Sequence, residues 1–403
     1  MATAVGCYLA ARVLGLLVLL VYGHIRGVPT LGRLGSAWDA GWYVRIVQTG
    51  YSVSNGLIGH DGIPYSPRAF FPLYPWLADP LHRLLPMSAG TALVLVSSAA
   101  GLAAAGAVYA CAAHCHGHRT GVIAAVLWGV LPLAAVENLA YSESLFTAFA
   151  GWSLYAVLTR RWLTSGVLCV LAGLTRPTAM ALTAAVGVAA LVELRRRYLL
   201  RQDGGTAAGW WRPLAAGVLA PLGWAGYMLW TGWAVGSWGG YFHIQDAWGS
   251  SFDGGYSAIR RLVDLVTGAH PAAHATGGSG AAGAVAAVHP QVAVGTAVTV
   301  LTAVVMVLTL LVYLALFAVT LVRRQPLVLL GYSTALVVMD LGNASPAPPL
   351  ARFLLPAFPL LFPLAERLAR LRPPRLPAAL LGGLALLSGL YGIVVVFVGG
   401  APA

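Results

Sequence analysis

Residues 7–25 read CYLAARVLGLLVLLVYGHI, an apolar run interrupted by one charged side chain, Arg12. A helix needs about 20 such residues to cross the hydrocarbon of a bilayer. The run is longer than the core of a signal peptide and no small-residue cleavage site follows it, so it is expected to stay as a first span. Beyond it, apolar stretches recur near 91–113, 121–136, 145–159, 162–174, 178–193, 214–233, 293–322, 326–342, 353–364 and 376–398, roughly eleven spans in all. Several middle stretches are short, and Pro132, Pro177, Pro356, Pro359 and Pro363 lie in or beside them, which predicts kinked or partly crossing segments. Composition agrees: 59% of the 403 residues are hydrophobic and 9% charged, against roughly 25% charged in a soluble domain. A water-soluble globule is excluded. The expected fold is a single integral-membrane domain over 1–403, an all-α polytopic bundle.

The formal charge of +12 rests on 24 basic residues, all of them Arg. They sit in short clusters between apolar runs and form no continuous basic face, which excludes nucleic acid as the partner and points to membrane orientation. Alternating sides from span to span puts Arg119, Arg160–Arg161, Arg195–Arg197 with Arg201 and Arg212, Arg323–Arg324, and Arg367, Arg370, Arg372 and Arg375 on one face. By the excess of positive charge in short loops that face is cytoplasmic, and so is the N-terminus. The opposite face receives two long connections, 26–90 and 234–292, too long for simple turns. It also receives Asp39, Asp61, Asp79, Glu137, Glu143, Asp246, Asp253 and Asp264, so chemistry is expected outside. The stretch 267–290 is Gly- and Ala-rich with scattered His270, His274 and His289, and reads as a flexible segment.

Cys7, Cys111, Cys115 and Cys169 show no disulfide-framework spacing. Cys111, His114, Cys115, His116 and His118 superficially resemble a metal cluster, but their spacing matches no standard zinc pattern and reads as a short solvated loop.

The first long connection opens with SAWDAGWYVRIV, residues 36–47. Read as a helix, it places Trp38, Trp42 and Ile46 on one stripe, with Asp39 and Tyr43 on the next. Aromatic rings at headgroup depth would lay this helix in the interface and hold Asp39 at the lipid boundary, where a base acting on a lipid-linked substrate is needed. The plainer reading is a capping box, with Ser36 as N-cap and Asp39 three residues on.

Further outer-face motifs are RAFFPLYP at 68–75, YSESLF at 141–146, TRPT at 175–178, QDAWG at 245–249 and ARF at 351–353. Phe70–Pro75 also fits an aromatic belt with a proline bend, and Glu143 a helix N-terminal charge. Gln245 and Trp248 also fit loop packing. Arg176 and Arg352 also fit snorkelling anchors, although an anchor Arg on this face runs against the positive-inside trend.

The run from Trp38 to Tyr51, followed by Ala69–Pro75, resembles the opening outer loop of the PIG-V mannosyltransferases, and Tyr141–Phe146 is similar to a second signature of that family. The motifs occur in the family's order and span about residues 30–365, the segment 250–290 excepted. The resemblance implies a GT-C bundle with a large first extracytoplasmic loop containing interfacial helices. It implies a mannose donor carried on a polyprenyl phosphate and transfer with inversion. Asp39 would be the catalytic base and Arg176, Arg352 and Arg45 would bind the donor phosphate. Trp38, Trp42, Tyr43, Phe71, Tyr74, Tyr141, Glu143, Gln245 and Trp248 would line the substrate pocket. One departure stands out: eukaryotic members have Arg-Ser-Asn-Gly where this chain has Arg176-Pro177-Thr178-Ala179, so only Arg176 carries over. The Lys-free, Ala- and Gly-rich composition suggests a high-GC bacterium and its plasma membrane, so the acceptor of the eukaryotic enzymes does not transfer.

Elementary chemistry asks for the same parts. Inverting transfer from a lipid phosphate needs a base near the acceptor hydroxyl and cations on the departing phosphate, for which planar guanidinium groups are suited. No cofactor is implied. An Asp-x-Asp pair is absent from the outer loops, so a divalent ion shared by Asp39 and Glu143 is a less favoured alternative. Other readings are an arabinosyl or protein O-mannosyl transferase of the same superfamily, and a transporter or flippase of a lipid-linked sugar. Transporters carry mid-span charges and internal repeats, which this chain largely lacks.

Overall fold

The computed structural model of the protein describes all residues except 53–55, 60–61, 203–208, 258, 261–262, 264–289, 324, 345–349 and 399–403. The Gly- and Ala-rich stretch expected to be flexible, up to residue 289, lies outside the described residues, as do Asp61, Asp264 and Arg324. Helices account for the architecture, and among the described residues the only β pairing is two isolated bridges. The protein is an all-α polytopic membrane protein.

Helix α1 (Ala2–Ile25) is the expected first span. Three short helices come next, α2 (Thr30–Leu34), α3 (Ala40–Thr49) and α4 (Leu73–Leu84). The bundle then continues with α5 (Ala89–His116), α6 (His118–Gly129), α7 (Glu143–Leu158), α8 (Trp162–Gly173) and α9 (Ala179–Gln202). After α10 (Trp211–Leu219), α11 (Leu222–Val235) and α12 (Gly240–Asp246) come α13 (Pro290–Val322) and α14 (Leu327–Leu341). The chain ends through α15 (Leu350–Phe353), α16 (Phe362–Arg370) and α17 (Arg375–Ile393). Helix α5 is the central element. Ala92, Ala100, Gly101, Ala104, Ala105 and Ala107 are buried along it, and such small residues let neighbouring helices approach closely, as lipid-embedded packing requires.

The short and proline-broken segments expected among the spans are present. Five helical stretches among the described residues are long and apolar enough to cross a bilayer by themselves, and a bent pair would make six. The other stretches in the expected set of roughly eleven map to helices that are shorter, more charged or broken. The stretch 121–136 breaks after Gly129 and turns by 76° into a 3-10 segment, Pro132–Asn138, because Pro132 cannot continue the helix. The stretch 353–364 is no single helix. Helix α15 ends at Phe353, and Pro356, Pro359 and Pro363 divide the next dozen positions into a 3-10 turn, Phe358–Leu361, and the start of α16.

Glu137 does not reach an outer loop. It is 4% exposed, and its carboxylate accepts a 3.1 Å bond from the Tyr8 hydroxyl on α1. Arg12, one turn along, donates to the Gly129 carbonyl and the Asn138 side chain. The spans are therefore less free of ionisable groups than expected: Arg12, Glu137 and the buried Asp340 lie within the helical bundle.

Alternation from span to span, with α10 and α11 together forming one span (Trp211–Val235), gathers the arginine clusters at one end. There Arg160 faces Glu193, Arg323 bonds Glu366, and Arg119 donates to the Leu371 carbonyl. The described parts of the connection between α1 and α5, together with α12, belong to the other end. Its core holds Leu34, Ala40, Tyr43, Tyr74, Tyr141, Leu355, Tyr391 and Val395.

Candidate active site

Two backbone bonds stitch the motifs of this end together. The Ala140 amide donates to the Leu34 carbonyl at 3.0 Å, which brings Tyr141–Glu143 beside the loop carrying Asp39. The Leu73 amide donates to the Leu174 carbonyl at 2.9 Å, which brings Phe71–Tyr74 beside Thr175–Arg176. Residues about a hundred positions apart thereby converge.

Helix α3 begins at Ala40, with Asp39 as its N-cap residue and no side-chain cap bond. Ser36 instead donates its hydroxyl to the Gly32 carbonyl at 2.8 Å, so the capping box does not form. Trp38 precedes the helix with φ at +55°, which removes it from the expected stripe with Trp42 and Ile46. Its indole N–H donates to the Val395 carbonyl at 3.2 Å, and the residue is 44% exposed. Val395 lies in a π-turn, Val394–Val398, a geometry that disturbs the usual carbonyl pattern of a helix.

The charged groups form an alternating chain. Arg352 Nη2 donates to Asp39 Oδ2 at 3.0 Å, and Arg352 Nε lies 3.3 Å from Glu143 Oε1. Arg176 Nη1 reaches Glu143 Oε2 at 2.7 Å and donates to Ser142 Oγ at 3.2 Å. The order is Asp39, Arg352, Glu143, Arg176, with two negative and two positive charges. Side-chain exposure is 29% for Asp39, 9% for Arg352, 2% for Glu143 and 11% for Arg176, so Asp39 is the most open member. Burial alone would weaken the charge on Arg352, but Asp39 and Glu143 outweigh it and hold the guanidinium more firmly protonated than usual.

Aromatic rings complete the guanidinium surroundings. Arg352 lies over Tyr141 and Phe353 at 5.2 and 5.1 Å, and Arg176 lies over Phe353 at 5.6 Å. Stacked guanidinium groups keep their in-plane N–H donors directed outward. The Tyr141 hydroxyl accepts from the Asp39 amide at 3.2 Å. The Tyr43 and Ser142 hydroxyls are 2.8 Å apart, and burial pushes the Tyr43 phenol above its ordinary range. Tyr74 is fully buried, bonded to the Leu93 carbonyl and to Ser97.

The structure thus brings Asp39, Tyr43, Tyr141, Glu143, Arg176 and Arg352 into one constellation. Trp42 and Trp248 meet beside it, 5.5 Å apart, with Tyr65 and Phe70 against them. Phe71 packs instead against Tyr227 and Tyr241, and Gln245 donates to the Tyr241 hydroxyl at 2.8 Å. Arg45 stands apart: its guanidinium lies 5.9 Å from the Trp42 ring centre, along a groove lined by Gly41, Val44, Gln48 and Thr49. Sequence reasoning passed over Ser142, although it lies inside the quoted 141–146 motif, and did not single out Phe353, the ring shared by both guanidinium groups. Between Asp39 and Glu143 stands the Arg352 guanidinium, so the two carboxylates do not face one another directly. Among the described residues no three His, Cys, Asp or Glu side chains converge as a metal site.

Known proteins share parts of this architecture. The family described as dolichyl-phosphate-mannose-protein mannosyltransferase matches residues 66–211, a little over a third of the chain. The fold is similar to ArnT from Cupriavidus metallidurans bound to undecaprenyl phosphate, with a TM-score of 0.52 and 16% identity over 94% of this chain and 63% of that one. The Archaeoglobus fulgidus oligosaccharyltransferase in its apo form aligns with a TM-score of 0.46 and 13% identity, over 96% of this chain and 56% of that one. No curated protein matches. The chain therefore spans less than two thirds of the length of these solved proteins, and what it shares with ArnT is the fold.

Proposed function

We propose that the protein is an inverting glycosyltransferase that moves mannose from a polyprenyl-phosphate donor to an acceptor hydroxyl at the extracytoplasmic face of a bacterial plasma membrane, with its N-terminus in the cytoplasm. The observation that carries this reading is the chain Asp39–Arg352–Glu143–Arg176, in which the most open member is a partly exposed carboxylate and the two guanidinium groups are fixed behind it.

In the proposed step the acceptor oxygen forms a bond to the anomeric carbon while the bond from that carbon to the phosphate oxygen breaks. Asp39 takes the acceptor proton, and the polyprenyl phosphate leaves with the electron pair. Arg352 and Arg176 face the charge that grows on the phosphate, a role in which fixed donors in a dry site act strongly. Glu143 is too buried to meet substrate and acts as counter-ion, holding both guanidinium planes in register. Mannose is favoured by the motif resemblance and by the family matched at 66–211. A lipid-linked donor is favoured by the undecaprenyl phosphate bound in the ArnT structure of similar fold. A transporter is disfavoured because this charged chain is confined to one end of the bundle.

The test is an in vitro assay of the purified chain in which polyprenyl-phosphate mannose is offered with lipid, glycan and peptide acceptors. Mannosylated product with wild type, and none with Asp39→Asn, is expected. Transfer of another sugar in place of mannose would move the assignment to a different donor, and absence of transfer from any lipid-phosphate sugar would overturn it.

A further inference from the structure

At the end of the bundle opposite Asp39, two neighbouring connections collect positive charge. Residues 159–161 and 193–212 contain seven arginines against two acids, Glu193 and Asp203. Four of the arginines converge. Arg196 donates from Nε and Nη2 to the two oxygens of Glu193 at 3.0 and 3.1 Å, and Arg197 donates to the same carboxylate at 2.8 Å. Arg160, from the turn between α7 and α8, reaches it at 3.6 Å. Arg212, at the start of α10, flanks Gly209 together with Arg197, for a Cβ at Gly209 would lie 3.7 Å from Arg197 Nη1 and 3.8 Å from Arg212.

Orientation in the membrane needs only scattered charge near span ends. This cluster shows two features beyond that. Arg160 occupies a left-handed backbone conformation, φ +60°, at a helix end where glycine is the unstrained choice. Yet its side chain is 62% exposed, and that of Arg196 is 48% exposed, so both retain donors directed to solvent. The second feature is an aromatic and apolar rim. Tyr198, Trp210 and Trp211 are exposed beside the cluster, and Arg212 lies over the Trp211 ring at 5.7 Å. Exposed indole and phenol rings belong at headgroup depth in a bilayer.

We infer that Arg160, Arg196, Arg197 and Arg212 form a binding site for the phosphate of an anionic phospholipid headgroup. Glu193 aligns the fork-shaped donors, and a phosphodiester would meet the solvent-facing guanidinium groups of Arg160 and Arg196. The Trp210, Trp211 and Tyr198 rings would flank the glycerol and upper acyl segments, which distinguishes a lipid from a soluble anion. This site is independent of the transfer reaction proposed above.

The experiment is a native mass-spectrometry competition on the purified full chain, offered equimolar phosphatidylglycerol and phosphatidylcholine. Wild type is expected to retain phosphatidylglycerol by about fivefold or more at low salt, and the preference should shrink at high salt because the attraction is screened. The triple variant Arg160→Gln, Arg196→Gln, Arg212→Gln should bring the ratio to about parity, while Arg372→Gln with Arg375→Gln, at the same end but outside the cluster, should leave it near wild type. Arg160→Gly relaxes the backbone while removing one guanidinium, so it folds readily and should lower the preference about twofold. Equal retention of the two lipids by wild type, an unchanged preference in Arg160→Gly and the triple variant, or displacement of the lipid by millimolar inorganic phosphate would each overturn the site.

Discussion

Arg352 and Asp39, 313 positions apart in sequence, are joined by a 3.0 Å bond from guanidinium to carboxylate. That bond sets the geometry of the open end of the charge chain, because the same guanidinium turns its Nε toward buried Glu143. In the proposed reaction the arginine does two things at once: it orients the base and presents donors to the departing phosphate.

Arg352→Ala should therefore lower kcat/KM for polyprenyl-phosphate mannose by roughly 10²–10³-fold, the usual loss when a fixed donor to developing charge is removed. Arg45→Ala should lose far less, since Arg45 contacts Trp42 and lies outside the chain. Steady-state kinetics on the two purified variants checks this. Equal losses in both would remove Arg352 from the phosphate clamp.

Asp39→Asn retains an acceptor oxygen for Arg352 and leaves a partly solvated side chain, so the melting temperature should stay close to wild type. Transfer should fall by roughly 10²–10⁴-fold, the range that a positioned base contributes. A folded Asn variant with full turnover would exclude Asp39 as the base.

Glu143 behaves differently because it is 1% exposed and stands between two guanidinium groups. Glu143→Gln leaves two buried positive charges with one fewer counter-ion, and removing one partner of a buried pair typically costs about 3–5 kcal/mol. We expect a clear drop in the thermal midpoint in detergent, larger than for Asp39→Asn. Adding Arg176→Gln to Glu143→Gln should restore part of the loss, since groups in one network are not additive. A Glu143→Gln protein as stable as wild type would show that Glu143 is not the structural counter-ion.

The helical, membrane-spanning character of the chain was legible from its apolar runs, and the residues that meet at the site were legible as motifs at one end of the spans. What stayed hidden was non-local. Nothing near Glu143 in sequence reveals that Arg176 and Arg352, 33 and 209 positions later, flank it. Trp38 reads as a helix residue, but its hook to Val395 lies on the last helical segment, 357 positions away. Glu137 looked like an outer acid because the apolar run ends at 136, whereas the bend after Gly129 returns it to the bundle. One signal was available: Tyr8 and Arg12 stand one turn apart in an otherwise apolar span, and polar groups so placed need an inward-facing partner.

The loop that carries Asp39 is also held by a backbone contact that admits no side chain. A Cβ at Gly35 would lie 2.8 Å from the Gly90 Cα, and one at Gly90 would lie 2.8 Å from the Gly35 carbonyl oxygen. Both obstacles are backbone, so an added methyl must push α5 and the connection between α2 and α3 apart. Crowding of this kind costs about 1–3 kcal/mol. Because Gly35 is four residues before Asp39, the displacement should reach the carboxylate as well as the fold. Gly35→Ala is therefore expected to lower the thermal midpoint and also to reduce kcat with little change in the KM for donor, since both arginines arise from other segments. Circular dichroism melting and transfer kinetics measured on the same preparation test it. A variant that lost stability while keeping wild-type turnover would show that the base is positioned by Arg352 and Tyr141 alone, independently of the glycine contact.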